Sequence, residues 1–148
     1  MLFRSDLSGW EVFPNGGSIT VIDTDSSSGT YSARVVAGPT QNPVLKQERR
    51  AAGTVNPGDT INISFDMKGS AVDGGVIFPE LISEPEGPGQ LLDTIAAPTA
   101  GWTTYSYSAT AGANVTEGVT FQLAIVCGGA PSCSTNVLID NVSVTIAP

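Results

Sequence analysis

Residues 60–68 read TINISFDMK, and their alternation decides the class of the chain. Ile61, Ile63, Phe65 and Met67 fall on one side of an extended strand, while Asn62, Ser64, Asp66 and Lys68 fall on the other. One face is therefore core and the other wet. Residues 119–127, VTFQLAIVC, repeat the pattern, with Phe121, Leu123, Ile125 and Cys127 directed inward and Gln122, Ala124 and Val126 opposite. Near the end, Val137, Ile139, Val142, Val144 and Ile146 change parity at Asp140-Asn141, which predicts a β-bulge there.

Outward from these segments, short strands are expected at Trp10–Phe13, Ser18–Asp23, Tyr31–Val36, Val44–Arg49, Thr60–Lys68, Val76–Ser83, Leu91–Ile95, Thr103–Thr110, Val119–Cys127 and Val137–Ile146. They are separated by turn clusters such as PNGG, DTDSSSG, VNPGD, GSAVDGG, EPEGPG and CGGAPSC, whose Gly, Pro, Asn and Asp supply positive φ or a fixed turn. No helical period is visible. The fold class read from this is all-β, a two-sheet antiparallel β-sandwich or jelly roll of about ten strands. With 148 residues, the chain is expected to form one domain spanning 1–148.

Fourteen acidic and six basic residues, with no histidine, give a net charge of −8. That balance argues against nucleic acid and against an anionic membrane as partner. No segment approaches the roughly 20 apolar residues of a membrane span, and the opening MLFRSDLSGW lacks the apolar region of a signal peptide. Cys127 and Cys133, in CGGAPSC, are expected to form a disulfide, because Gly-Gly and Pro let the chain turn back on itself. No histidine or further cysteine is present to complete a zinc site. A disulfide in turn suits a secreted, extracellular protein.

The order SGW, GGSITV, SSSGTYSARV, VNPGDTINISFDMKG, GWTTYSYSAT, VTFQLAI and VLIDNVSVTI resembles carbohydrate-binding modules of the family four, nine and twenty-two type, from Ser8 to Ile146. The resemblance implies a jelly roll that binds glycan in a groove on its concave sheet, often with a structural calcium ion near the chain ends. It implies binding rather than hydrolysis, by a monomer tethered to the catalytic domain of a larger secreted enzyme. Calcium's need for hard oxygens brings forward Asp23, Asp25 and Asp140, and matched onto the family motif the ligands would be Asp25 and Ser28 of the DTDSSSG loop beside Asp140 of LIDNV. The chain departs from the family where a Phe-Glu pair usually supplies a ligand: here the pair is Phe3-Arg4, with Asp6 the nearest substitute. The alternative is an Asx-rich turn that needs no ion.

For the ligand site, Lys46, Arg49, Arg50 and Lys68 are four of only six basic residues, and Glu48, Asp66 and Glu80 lie on strands expected nearby. Lys46 shares a face with Glu48, and Asp66 with Lys68, so neighbouring strands would build one polar groove floor to which Gln122 adds. Phe78, two residues before Glu80, and Tyr105, which shares a face with Tyr107, are the aromatic candidates. The competing reading of all of these is cross-strand packing and solvated ion pairs. Trp10 and Trp102 each follow a glycine and are expected in core or rim.

A glycosidase would need paired carboxylates, for which Glu80, Glu84, Glu86 and Asp93 come forward. Glu84 and Glu86 lie in the turn EPEGPG, which holds two carboxyl groups poorly, and no histidine is available as a base. The expected function is thus non-catalytic polysaccharide binding. The basic cluster leans it toward an acidic, uronate-bearing chain over a neutral β-glucan or xylan. A spacer or adhesive sandwich without a glycan site is the alternative.

Overall fold

The computed structural model describes residues 6–85 and 94–147. Nine strands follow one another: β1 (Glu11–Phe13), β2 (Ser18–Ile22), β3 (Ser32–Ala37), β4 (Val44–Arg50), β5 (Thr60–Val72), β6 (Gly75–Ser83), β7 (Thr103–Thr110), β8 (Val119–Cys127) and β9 (Ser134–Ile146). They form a four-stranded sheet, β1-β4-β8-β6, and a five-stranded sheet, β2-β3-β9-β5-β7, with antiparallel pairing throughout. No helix occurs among the described residues. The all-β sandwich read from the alternation is the fold of the chain.

The inward positions make the core. Ile61, Ile63, Phe65 and Met67 of β5 and Phe121, Leu123 and Ile125 of β8 are buried, as the period of two requires. Leu45, Ile77 and Leu81 complete the inner face of the four-stranded sheet, and Val35, Val137 and Ile139 that of the five-stranded one. Trp10 also lies in the core, as expected.

Several boundaries differ from expectation. The segment GSAVDGG contributes strand on both sides, because the turn needs only Asp73 and Gly74, at φ 51° and 94°. Two successive positive φ values in a two-residue loop match the twist of the strands they join. Leu91–Ile95 lies outside the described residues up to Asp93, and Thr94 and Ile95 belong to no strand. At the expected parity break, Asn141 takes φ 50° and the β5–β9 register slips between Ser64 and Asp66, so two residues of β9 oppose Phe65. Gly69, in β5, crosses β9 so closely that a Cβ would sit 2.2 Å from the Asn136 carbonyl oxygen, at a φ of 143°. Only glycine fits there. Pro79 lies inside β6, an edge strand, where its missing N–H removes no ladder bond.

Cys127 and Cys133 form the expected disulfide, with their Cα atoms 5.8 Å apart.

Candidate functional site

Cross-strand register lines up the polar residues of the four-stranded sheet. Glu11 stands opposite Lys46, Lys46 opposite Gln122, and Gln122 opposite Glu80, so a single row crosses β1, β4, β8 and β6. Directly opposed residues share a face, and Leu45, Phe121 and Leu81 beside them point into the core, so this row faces outward. The next row is Phe13, Val44, Ala124 and Phe78. Small side chains thus occupy the two central strands, and aromatic rings stand on the two outer ones. The outer face of this sheet therefore carries Phe13 and Phe78 on its outer strands, with Val44, Ala124, Lys46 and Gln122 between them.

Polar contacts hold this face in place. The Gln122 side-chain amide donates to the Glu80 carboxylate. Lys46 Nζ lies 3.4 Å from Glu48 Oε1 and 5.2 Å from the centre of the Phe13 ring, a distance at which the ring face attracts the ammonium. Glu11 accepts the Glu48 backbone N–H at 3.1 Å and pairs with Arg50 at 3.6 Å. Most of these side chains are half-buried by one another, while Phe13 is 42% exposed.

The structure therefore brings together Lys46, Glu48, Phe78, Glu80 and Gln122. It adds Glu11 and Phe13, which sequence reasoning missed because β1 is only three residues long and its partner strand lies more than 30 positions away. Arg49 is not in the row. Its φ of 48°, at a slip in the β4–β8 register, turns it to the end of the sheet, where it pairs with Glu117.

Asp66, Lys68 and Tyr105 belong to the other sheet, which corrects the expectation of one shared groove floor: β4 and β5 are not neighbours. Tyr105 stands opposite Phe65, stacks on it at 5.4 Å between ring centroids, and donates its hydroxyl to the Ala97 carbonyl. Its position is one of packing. Burial accordingly raises the pKa of Tyr105, and that of Tyr107 for the same reason.

On the outer face of the five-stranded sheet, the loop DTDSSSG folds over Asp66 and Asp140, which oppose each other on β5 and β9. Asp140 is fully buried, and its Oδ2 accepts the backbone N–H groups of Ser27 at 3.0 Å and Ser28 at 2.9 Å. The Ser27 hydroxyl, 3.2 Å from that oxygen, reaches Asp66 Oδ2 at 2.6 Å. Thr104 donates to Asp66 Oδ1 at 2.6 Å, and the Asn141 side-chain amide to Oδ2 at 3.4 Å. Burial pushes the Asp66 pKa up, but the hydrogen bonds from Ser27, Thr104 and Asn141 together outweigh it and hold the carboxyl below its ordinary value.

Asp25 turns elsewhere, to Lys68 Nζ at 2.6 Å and Trp102 Nε1 at 2.9 Å. These two contacts, Lys68 foremost, lower its pKa. A calcium ion takes six to eight oxygen ligands. Here the oxygens of Asp25 and Asp140 meet N–H and O–H donors, Asp23 is exposed, and Ser28 contributes its N–H. No group of three acidic residues gathers among the described residues. Asp25, Ser28 and Asp140 thus meet hydrogen-bonding partners within the protein and staple the loop to the sheet, while Asp23 stands apart.

Of the carboxylates weighed for catalysis, Glu86 and Asp93 lie outside the described residues. Glu84 accepts the Thr120 hydroxyl at 2.9 Å, and Thr120 in turn accepts the Arg49 backbone N–H. A cleft of about 310 Å³ reaches core residues such as Trp10, Ile61 and Phe121. Of its polar members Gln47, Arg50, Ser143 and Thr145, the first two donate to the Gly9 carbonyl.

No protein-family model and no curated protein sequence matches the chain. Solved structures do. The CBM22-1 xylan-binding domain of Paenibacillus barcinonensis Xyn10C superposes with a TM-score of 0.65 at 14% identity, over 97% of this chain and 88% of that one. The N-terminal cellulose-binding domain of Cellulomonas fimi β-1,4-glucanase C gives 0.59 at 18% identity, over 95% and 90%. The CBM22-1–GH10 modules of Clostridium thermocellum xylanase 10B, complexed with xylohexaose, give 0.68 at 14% identity, over 99% of this chain and 28% of that one. At these identities the likeness is one of architecture: the chain has the β-sandwich fold of carbohydrate-binding modules.

Proposed function

We propose that the protein is a non-catalytic polysaccharide-binding module that takes a glycan chain in a groove on the outer face of its four-stranded sheet. The observation that carries this reading is the pair of registered rows, aromatic–small–small–aromatic beside Glu11, Lys46, Gln122 and Glu80. Sugar rings offer apolar C–H faces and hydroxyl edges. Phe13 and Phe78 suit the first, and Glu80, Gln122 and Glu48 suit the second, since carboxylates accept strong hydrogen bonds from hydroxyl groups.

The neighbours in fold support polysaccharide as the ligand class, and the xylanase 10B structure supports tethering to a catalytic module as the mode of use. Glu80 and Glu84 each hold a specific hydrogen-bond partner, which suits positioning rather than bond cleavage. A disulfide suits an extracellular setting. The basis for an acidic ligand on this face weakens, because Glu11, Glu48 and Glu80 surround a single lysine here. A neutral β-linked chain fits the groove better.

Affinity electrophoresis through gels containing xylan, β-glucan, galactan or pectate tests this. Retardation by at least one neutral polymer, lost in Phe13→Ala and Phe78→Ala with the fold intact, is the expected result. Unchanged mobility in every gel would point to a spacer instead.

A further inference from the structure

The five-stranded sheet carries a second surface feature. A shallow trough of about 410 Å³ runs over its outer face, lined by Ile22, Asp25, Arg34, Lys68, Asn136 and Leu138 among others, with Asp25 held in its ion pair with Lys68. Register places Arg34, Leu138 and Lys68 in one row across β3, β9 and β5. The two cations stand two strand spacings apart, roughly 10 Å, with an aliphatic side chain between them.

Arg34 differs from the other basic residues described. Lys46 pairs with Glu48, Arg49 with Glu117, Arg50 with Glu11 and Lys68 with Asp25. Arg34 alone among the five has no carboxylate partner within the described residues. Its Nε donates to Asn136 Oδ1 at 3.2 Å, and its side chain is exposed, with neither terminal nitrogen hydrogen-bonded among the described residues. In a chain with a net charge of −8, an exposed guanidinium with no ion pair among the described residues stands out.

We infer that this trough is a second glycan site, specific for the carboxylate of a hexuronate residue. The guanidinium fork of Arg34 takes the carboxylate through two parallel N–H···O bonds. Lys68 spends one of its three donors on Asp25 and turns the others to the same chain. Leu138 and Ile22 meet the apolar face of the sugar ring, and Asn136, Ser70 and Thr24 its hydroxyl groups. This mixture favours an acidic sugar over a bare inorganic anion, which has no apolar face to bury. The overall negative charge opposes a polyanion only at long range, and beyond a Debye length of about 8 Å at physiological salt it is largely screened. The site stands on the opposite sheet from the groove proposed above, so either can fail without the other.

Titration of the ¹⁵N-labelled protein with tetragalacturonate, followed by amide and Arg Nε–H shifts, tests the assignment. Shifts should cluster at Arg34, Asn136, Leu138 and Ser70. Arg34→Gln should weaken binding about tenfold, the size of one lost charge-assisted contact, and flatten its salt dependence. Arg34→Lys should retain part of the affinity, and neither change should move the melting temperature appreciably. Three outcomes would overturn the site: shifts confined to the four-stranded sheet, equal trough shifts with neutral xylotetraose, or binding of a sulfated oligosaccharide with none of the uronate. Xylan binding that persists in Arg34→Gln leaves the groove reading intact.

Discussion

Gln122 donates its side-chain amide to the Glu80 carboxylate across the β6–β8 pair, and this contact ties together the centre and one edge of the four-stranded sheet. It leaves the second Glu80 oxygen without a hydrogen bond among the described residues, available to a hydroxyl of the glycan proposed for this face. Glu80→Gln keeps the shape and removes the charge, so affinity for the bound neutral glycan should fall by about 1–2 kcal/mol, roughly 5- to 30-fold. Isothermal titration checks this, and a melting temperature within a few degrees of the parent shows that binding alone was affected.

The Asp140 staple sets a stability prediction. Asp140→Ala strands the N–H groups of Ser27, Ser28 and Asn141 beneath the loop. Unsatisfied buried donors cost about 1–3 kcal/mol each when water cannot reach them, and partial relaxation of the loop brings the expected total to about 2–4 kcal/mol. For a chain of this size that is a drop of roughly 5–15 °C in melting temperature. Because the staple is built from hydrogen bonds, EDTA should leave the melting curve of the parent unchanged. A fall on chelation that calcium restores would show an ion organising this loop.

Acid should loosen the same staple. The Asp66 carboxyl is held below its ordinary value of 3.8 in the folded chain, so its contribution is fully present above that value and is lost as pH falls through the lower folded one. Asp25 is lowered as well and acts in the same direction. Stability from neutrality to about pH 5 should therefore be flat in this respect and should decline below about pH 4. Asp66→Asn should flatten that decline, as read by denaturant midpoints across the range.

Much of this architecture was legible from the period-two pattern, because Ile61 to Met67 and Phe121 to Ile125 advertise their faces locally. The parity break at Asp140-Asn141 was equally local. Pairing was not, since nothing in residues 44–50 says that their neighbour is residues 119–127 rather than 60–68. Alternation alone therefore allows Lys46 and Lys68 one common floor, whereas they lie on opposite sides of the sandwich. Tyr105 shows the same limit: alternation put Tyr105 and Tyr107 on a common face, but only the register opposite Phe65 says that it is the inner one. Arg34 carried no local signal, since what sets it apart is that no carboxylate among the described residues pairs with it.

The disulfide closes a short loop, with its cysteines six positions apart in sequence. Chain-entropy arguments give such a closure about 2 kcal/mol. Reduction under non-denaturing conditions should lower the melting temperature by roughly 4–8 °C without unfolding the chain at room temperature. Collapse on reduction would mean that the bridge holds the β8–β9 corner far more strongly than its loop length implies.

Pro79 bears on how such a chain survives beside copies of itself. An open sheet edge invites a strand from another molecule, and β6 is the outer strand of the four-stranded sheet. Along that edge the Ile77 carbonyl is already taken by the Ala96 N–H at 3.0 Å, and two residues on Pro79 has no N–H to offer. An incoming strand would find one position occupied and the next one mute. The outer strand of that sheet is thereby kept from becoming a seam for aggregation, so copies of the chain can stand side by side at high local concentration without zipping together.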